Sequence, residues 1–271
     1  MGVLLAIPIS QDGFSLSQGC SGIRLGSLIF GLWFPRYHRL GEPGGSVKER
    51  ILVVMPTYHS PKDWLDRASK SLKAQTHPDF HCMVVKDGCR WACSALYSER
   101  PCLECDACQE TVEYGHQLAK EDHRFSFHRL PIHLSGSGWG PRNFAILNSD
   151  EDLIAYLDDD NWYDEDHLES LYRVITATKS DLAYTGTRLF DTNLKLVHER
   201  LHNALPEAGY IDTSEMMHRR HLIFKFGGWR YVPKCSDWDL VKRWVPDIKW
   251  CHTGKITLNF YLRDNCGVHR Q

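Results

Sequence analysis

The chain has 271 residues, which corresponds to roughly 1.8 domains at about 150 residues each and is equally satisfied by one large α/β domain. Hydrophobic residues make up 42% and charged residues 24%, and 32 Lys+Arg against 34 Asp+Glu leave a net charge of −2. That balance excludes a chain too polar to fold and a surface built to coat a polyanion, so no nucleic-acid partner is expected.

Residues 1–48 are rich in Gly, Ser and Leu, lack clear periodicity and end in the turn-dense GEPGGS, which predicts a poorly ordered N-terminal arm. The apolar run at 25–34 is about half the ~18 to 20 residues that a membrane-spanning helix needs, so no transmembrane segment is expected. MGVLLAIPIS has no basic stretch before its apolar run and no small-residue cleavage site soon after it, unlike a secretory signal. The expected location is cytoplasmic, with at most a peripheral membrane contact.

The globular pattern begins at Ile51 and predicts one domain over 49–271. ILVVM reads as a strand buried on both faces, broken by PTYHS. Ser60 suits a helix cap with Pro61 at the first helical position, and Trp64, Leu65, Ala68 and Leu72 recur at helical spacing. CMVVK then completes a βαβ unit whose connection should be right-handed.

Between 89 and 112 the pattern breaks into a cysteine-rich insertion. Cys89, Cys93, Cys102, Cys105 and Cys108 have the spacing C-x3-C-x8-C-x2-C-x2-C. Thiolates at C-x2-C spacing suit a tetrahedral structural Zn2+; free or redox-active thiols and disulfides remain the alternatives. GSGWG at 136–140 lacks the preceding strand and the later acid of a dinucleotide-binding turn, and reads as a flexible loop.

A further buried strand, LIAYL at 153–157, runs directly into Asp158, Asp159 and Asp160, and Leu168, Leu171, Tyr172 and Ile175 then mark one helix face. Open α/β sheets bind ligands at the carboxyl ends of their strands, so Pro56-Thr57-Tyr58, Asp87-Gly88 and Asp158 to Asp160 should share one edge. Three adjacent carboxylates repel one another and are most easily kept ionised by a cation. Mg2+ or Mn2+ with a diphosphate suits such oxygen ligands. A solvated acidic turn capping the next helix is the plainer alternative. Asp237, taken alone, reads as an N-cap or first-turn acid before Trp238, Leu240 and Val241.

Four ordered blocks now carry a resemblance: ILVVMPTYHSP; SLKAQTHPDFHCMVVKDG; GPRNFAILNSDEDLIAYLDDDNWYDEDHLE; and IDTSEMMHRR with GGWRYVPKCSDWDL. Over about residues 50–245 the sequence resembles the inverting, nucleotide-sugar-dependent glycosyltransferases of family 2. The resemblance implies a single GT-A domain: a Rossmann-like, mixed and mostly parallel sheet flanked by helices. It implies that Pro56, Thr57 and Tyr58 hold the nucleotide, that Asp87 contacts the base, and that Arg142 and Asn143 open a helix facing the donor. It further implies that Asp158 and Asp160 act on the metal, Mn2+ or Mg2+, with Asp158 or Asp159 near the ribose. Asp237 is then the general base. Lys86 and Ser236 stand where the family pattern has acids.

The implied partners are a nucleotide-sugar donor, with UDP-sugar favoured, and a hydroxyl acceptor that is a saccharide, lipid-linked or other. Trp139, Trp162, Trp229 and Trp238 are read as either stacking platforms for a sugar or base, or packing residues. His252 and His269 lie where some relatives supply a further metal contact. A catalytically inactive binding module of the same fold is the alternative. A metal-dependent phosphohydrolase fits less well, because Asn161-Trp162 follows the acids and their strand is not the first.

Overall fold

The structure is a computed structural model that describes residues 48–88, 106–134, 137–201, 211–233 and 235–263. The N-terminal arm, His269 and Cys89, Cys93, Cys102 and Cys105 lie outside the described residues, as does the side chain of Cys108, so the zinc expectation falls outside them too.

The first half of the domain alternates strand and helix: β1 (Ile51–Thr57), α1 (Lys62–Lys73), β2 (Phe80–Lys86), α2 (Asp106–Glu121), β3 (Phe125–Arg129), α3 (Trp139–Leu147) and β4 (Leu153–Tyr156). After the two-residue β5 (Trp162–Tyr163) come α4 (His167–Thr178), β6 (Leu182–Phe190), β7 (Leu196–Arg200), β8 (Met216–Arg219), α5 (His221–Phe226), α6 (Ser236–Lys242) and β9 (Trp250–Tyr261). Among the described residues these strands form one mixed sheet in the order β3-β2-β1-β4-β8-β6-β9-β5, with β7 paired to β6. The β3-β2-β1-β4 portion is parallel throughout. Beyond it, β8 runs antiparallel to both β4 and β6, and β9 returns parallel to β6.

The continuous apolar run of β1 has a direct cause. Ile51, Val53 and Met55 join the core on one face of the sheet, while Leu52 and Val54 join the core on the other. A strand covered by helices on both faces needs no polar alternation. Helix α1 buries Leu65, Ala68 and Leu72, and α4 buries Leu168, Leu171 and Ile175 with Tyr172 packed alongside, as their periodicity predicts.

The start of α1 differs from expectation by one position and in its chemistry. Pro61 is the N-cap, with no side-chain cap, because the Ser60 hydroxyl donates to the Asp159 carboxylate instead. This bond ties the β1–α1 loop to the end of β4 across the shared edge. The parallel register Thr57–Lys86 and Val54–Tyr156 brings the carboxyl ends of β1, β2 and β4 together there. No helix among the described residues is long and apolar enough to cross a membrane.

Candidate active site

A cleft of about 660 Å³ opens at this edge. It brings together Pro56, Thr57 and Tyr58 after β1, Asp87 after β2, Arg142 of α3, the acids Asp158 to Asp160 after β4, and Asp237 of α6. Most of the residues singled out in the sequence therefore share one cavity. Asn143 does not line it.

The three consecutive acids have three different environments. Asp158 is anchored through its backbone N–H to Ser214 Oγ at 3.1 Å, and its carboxylate accepts from Arg142 at 2.5 Å. Asp159 is buried under the Ser60 hydroxyl, and desolvation pushes its pKa up to about 6. Asp160 accepts from Arg263 Nε at 2.5 Å, and its own pKa is raised, chiefly by desolvation, with Arg263 opposing. The turn that spaces these acids is fixed by Asn161, fully buried, whose Oδ1 accepts from the Tyr261 N–H of β9 at 3.0 Å.

Arg142 links the two sides of the cleft. Its guanidinium donates to Ser137 O and Asp158, packs 4.6 Å from the Trp229 ring, and is almost fully buried. The preceding Gly138, at φ +72°, is the N-cap of α3 and sits against Pro56, where a Cβ would come within 3.2 Å of the proline ring. That close approach lets the 137–138 turn form one wall of the cleft.

Asn143 bonds to the backbone beyond α5. Its amide donates to Trp229 O at 2.9 Å and accepts from the Trp229 N–H at 3.0 Å, clamping the 227–229 turn to α3. The Trp229 indole in turn donates to Tyr156 Oη at 3.1 Å, and Tyr156 Oη lies 2.7 Å from His218 Nε2. The ring that supports Arg142 is thus held by both its backbone and its side chain. No tryptophan is among the described residues lining the cleft: Trp139 bonds to Leu134 O, Trp162 packs under Arg67, and Trp229 and Trp238 pack in the core.

At the end of β2, Asp87 Oδ1 accepts from the Gly88 and Leu134 N–H groups at 2.9 and 3.0 Å, and Oδ2 lies 2.9 Å from His133 Nδ1. Tyr58 is stacked between His59 and His133, with ring centroids 4.2 and 4.4 Å away. Lys86 is fully buried and donates to Asp87 O at 3.0 Å, with its ammonium 5.7 Å from the Tyr58 ring. The lysine is thus held behind the Asp87 loop and does not line the cleft.

Asp237 lies in the first turn of α6, where the Trp238 N–H donates to its Oδ1 at 2.7 Å. Burial raises its pKa, Asp158 and Glu215 push it the same way, and Arg142 opposes them. The plain first-turn role and a place in the cleft therefore coexist in one residue. Cys235, left-handed at φ 54°, turns the chain into this helix.

Sequence reasoning missed four contributors. Asp212 lines the cleft and forms a capping box with Glu215: Ser214 N–H donates to Asp212 Oδ1, and Asp212 N–H to Glu215 Oε2, both at 2.8 Å. Desolvation and the neighbouring Asp158, Asp237 and Glu215 hold the Asp212 pKa well above normal. Glu215, fully buried, pairs with Arg200 at 2.9 Å. The D-x-x-E spacing was the available signal for the first two; Arg200 and Arg263 arrive by long-range pairing that leaves no local trace. His252 packs against Tyr184 at 4.7 Å on β9 and does not line the cleft.

Among the described residues no three His, Cys, Asp or Glu side chains converge as a ready-made metal centre. The donor chemistry still suits a hard cation. Asp158 is 28% exposed at its side chain, Asp160 lies two residues on, and desolvation, with a smaller push from neighbouring carboxylates, raises the pKa values of Asp159 and Asp160. Arg142 and Arg263 answer part of this charge, and a divalent ion with diphosphate oxygens would offset the remainder at the cleft.

The mixed, mostly parallel sheet flanked by helices has the GT-A architecture that the sequence leads one to expect. A family model described as glycosyl transferase family 2 matches residues 106–234. The chain is 31% identical over 134 residues to the succinoglycan biosynthesis protein ExoW of Rhizobium meliloti, covering 49% of this chain and 36% of that protein. It is 25% identical over 138 residues to the glycosyltransferase GlyA of Streptococcus pneumoniae, covering 51% of this chain and 16% of GlyA. These alignments span well under two thirds of either relative.

Among solved structures, S. aureus TarS superposes with a TM-score of 0.59 at 17% identity, over 79% of this chain and 37% of TarS. A TarS fragment of residues 1–349 in complex with UDP-GlcNAc gives 0.58 at 16% identity, over 82% of this chain and 61% of the fragment. The resemblance to the family 2 glycosyltransferases of GT-A fold is borne out by the family model, the relatives and the fold.

Proposed function

We propose that the chain transfers a sugar from a nucleotide diphosphate donor, a UDP-sugar, to an acceptor hydroxyl with inversion. The observation that carries this reading is the placement of Asp158 and Asp237 in one cleft, with Arg142 acting electrostatically on both. The TarS fragment has been solved with UDP and with UDP-GlcNAc, which favours the same donor class here.

In this reading the nucleotide lies along Pro56, Thr57, Tyr58 and Asp87, and Arg142 faces the diphosphate. Asp158 and Asp160 would hold a divalent cation, Mn2+ or Mg2+, which supplies charge neutralisation for the departing diphosphate. Asp237 accepts the proton of the acceptor hydroxyl as its oxygen attacks the anomeric carbon, an effect worth about 10² to 10⁴ in rate. Burial raises its pKa, which makes it a stronger base than an exposed carboxylate. The sugar inverts because the attacking oxygen and the leaving phosphate sit on opposite faces.

Two departures favour a binding-only module as the second reading: Lys86 and Ser236 in place of acids. The test is a panel of nucleotide sugars with Mn2+, read first by thermal shift and then by donor hydrolysis and transfer. Transfer by the wild-type chain that is lost in Asp237→Asn supports the enzyme. Binding without hydrolysis or transfer supports the module, and no stabilisation by any nucleotide sugar refutes both.

A further inference from the structure

We propose that Arg263 is the built-in counter-charge of the acid triplet and competes with the divalent cation for Asp160, so that it sets when the ion can enter. The inference rests on the metal assignment made under the proposed function and adds a residue to it.

The geometry begins where β9 leaves the sheet. Tyr261 N–H is tied to Asn161 Oδ1 at 3.0 Å, and Leu262 N–H to Phe190 O at 2.8 Å, so the strand end is fixed to the same turn that carries the acids. Arg263 therefore arrives directly over the triplet. Its Nε donates to Asp160 Oδ2 at 2.5 Å, and a terminal nitrogen lies 3.8 Å from Asp159 Oδ1. The guanidinium packs 4.8 Å from the Trp64 ring of α1, which fixes its plane. From the other side, Arg67 donates to Asp160 O at 2.7 Å.

The Asp160 side chain is only 9% exposed in this arrangement. A hard cation must approach a carboxylate oxygen to about 2.0–2.6 Å. At Asp160 Oδ2 that approach is taken by the guanidinium, and a divalent ion beside an arginine at contact distance is repelled. Asp158 differs: it is also paired with an arginine but keeps 28% of its side chain exposed, so it can meet an ion without first losing a partner.

Arg263 must therefore yield Oδ2 for Asp160 to coordinate an ion through that oxygen alongside Asp158. A nucleoside diphosphate entering the cleft supplies the alternative partner, since guanidinium pairs strongly with phosphate oxygens. Ion and nucleotide binding are linked in consequence: each removes an obstacle to the other, with Arg263 as the shared element.

The test is Mn2+ titration of the full chain followed by the electron paramagnetic resonance signal of free Mn2+, with and without UDP. The variants are Arg263→Ala, Arg263→Lys and the double variant Arg263→Ala/Asp160→Asn, each with its melting temperature measured to show that it is folded. Arg263→Ala should bind Mn2+ without nucleotide about tenfold more tightly than wild type, because the half-exposed guanidinium that occupies the buried Asp160 carboxylate is removed. Arg263→Lys should stay near wild type, the gain should vanish in the double variant, and UDP should strengthen Mn2+ binding less in Arg263→Ala than in wild type. Equal or weaker Mn2+ binding by a folded Arg263→Ala, while UDP still promotes Mn2+ binding by wild type, overturns the competition alone. No Mn2+ binding by any form, with or without UDP, overturns it together with the metal assignment.

Discussion

Replacing Asn143 by alanine separates two roles that the sequence cannot distinguish. If the side chain clamps the 227–229 turn, as its bonds to Trp229 N–H and O at 3.0 and 2.9 Å indicate, the variant loses two hydrogen bonds and leaves two main-chain groups without their partner. Each bond is worth about 1 kcal/mol, and incomplete rehydration of the freed groups adds to that, so the expected loss is about 2–3 kcal/mol. The clamp is tight in the native chain, since a Cβ at Gly228 would be 2.6 Å from Asn143 Oδ1. At about 2–4 °C per kcal/mol for a chain of this size, the melting temperature should fall by roughly 5–10 °C. The assay is thermal unfolding followed by tryptophan fluorescence, paired with UDP binding measured well below the transition, where affinity should stay close to wild type. An unchanged melting temperature with lost UDP binding would refute the clamp and return Asn143 to the donor site.

The remaining expectations concern the base, the buried histidines and a glycine. Asp237→Asn should keep donor binding and lose about 10²- to 10⁴-fold in transfer, and near-native turnover would sink its role. Because burial, Asp158 and Glu215 raise the Asp237 pKa, the acid limb of kcat/KM should lie above the ordinary carboxylate range, with activity lost as pH falls through it. Glu215→Gln should move that limb to lower pH, and a limb that does not move would contradict the coupling. His167 and His218 are buried with pKa values lowered to about 3, so the unfolded chain takes up protons that the folded chain does not between about pH 6.5 and 3, and stability falls as pH drops through that window. His167→Gln, which can still bond Thr257, should remove about 2 kcal/mol of the fall between pH 7 and 5, read from urea midpoints of variant and wild type. An identical pH dependence in the two would argue against the neutral buried ring. Gly88→Ala places a Cβ 2.1 Å from the Ile132 carbonyl carbon, so it should displace the Asp87 loop and lower the melting temperature; a variant as stable as wild type would mean that the β2–α2 and β3–α3 loops are not in contact.

The parts of this molecule that were legible in the sequence are those whose cause is local or repeats at short range. β1, β2 and β4 announce themselves as unbroken apolar runs because helices cover both faces, and their carboxyl ends share an edge because parallel pairing leaves no other choice. The half of the sheet built from β6, β8 and β9 gave no comparable signal. β6 and β9 pair residues such as Leu182 with Trp250 across a long stretch of chain, and their polar residues Thr185, Thr187 and Asn259 are buried through hydrogen bonds to Thr257, Glu215 and Asp164 respectively. The same limit explains the site. The acid triplet is visible in three letters, and its repulsion calls for a cation. The cations that the fold supplies are Arg142, sixteen positions before Asp158, and Arg263, one hundred and three after Asp160. Neither is implied by the triplet itself, since only closure of the sheet through Asn161 and Tyr261 brings β9 to it. An acidic motif read alone therefore overstates its need for an external ion: part of the charge is already answered from within the chain, and what remains for a ligand is the share that Asp158 presents to the cleft.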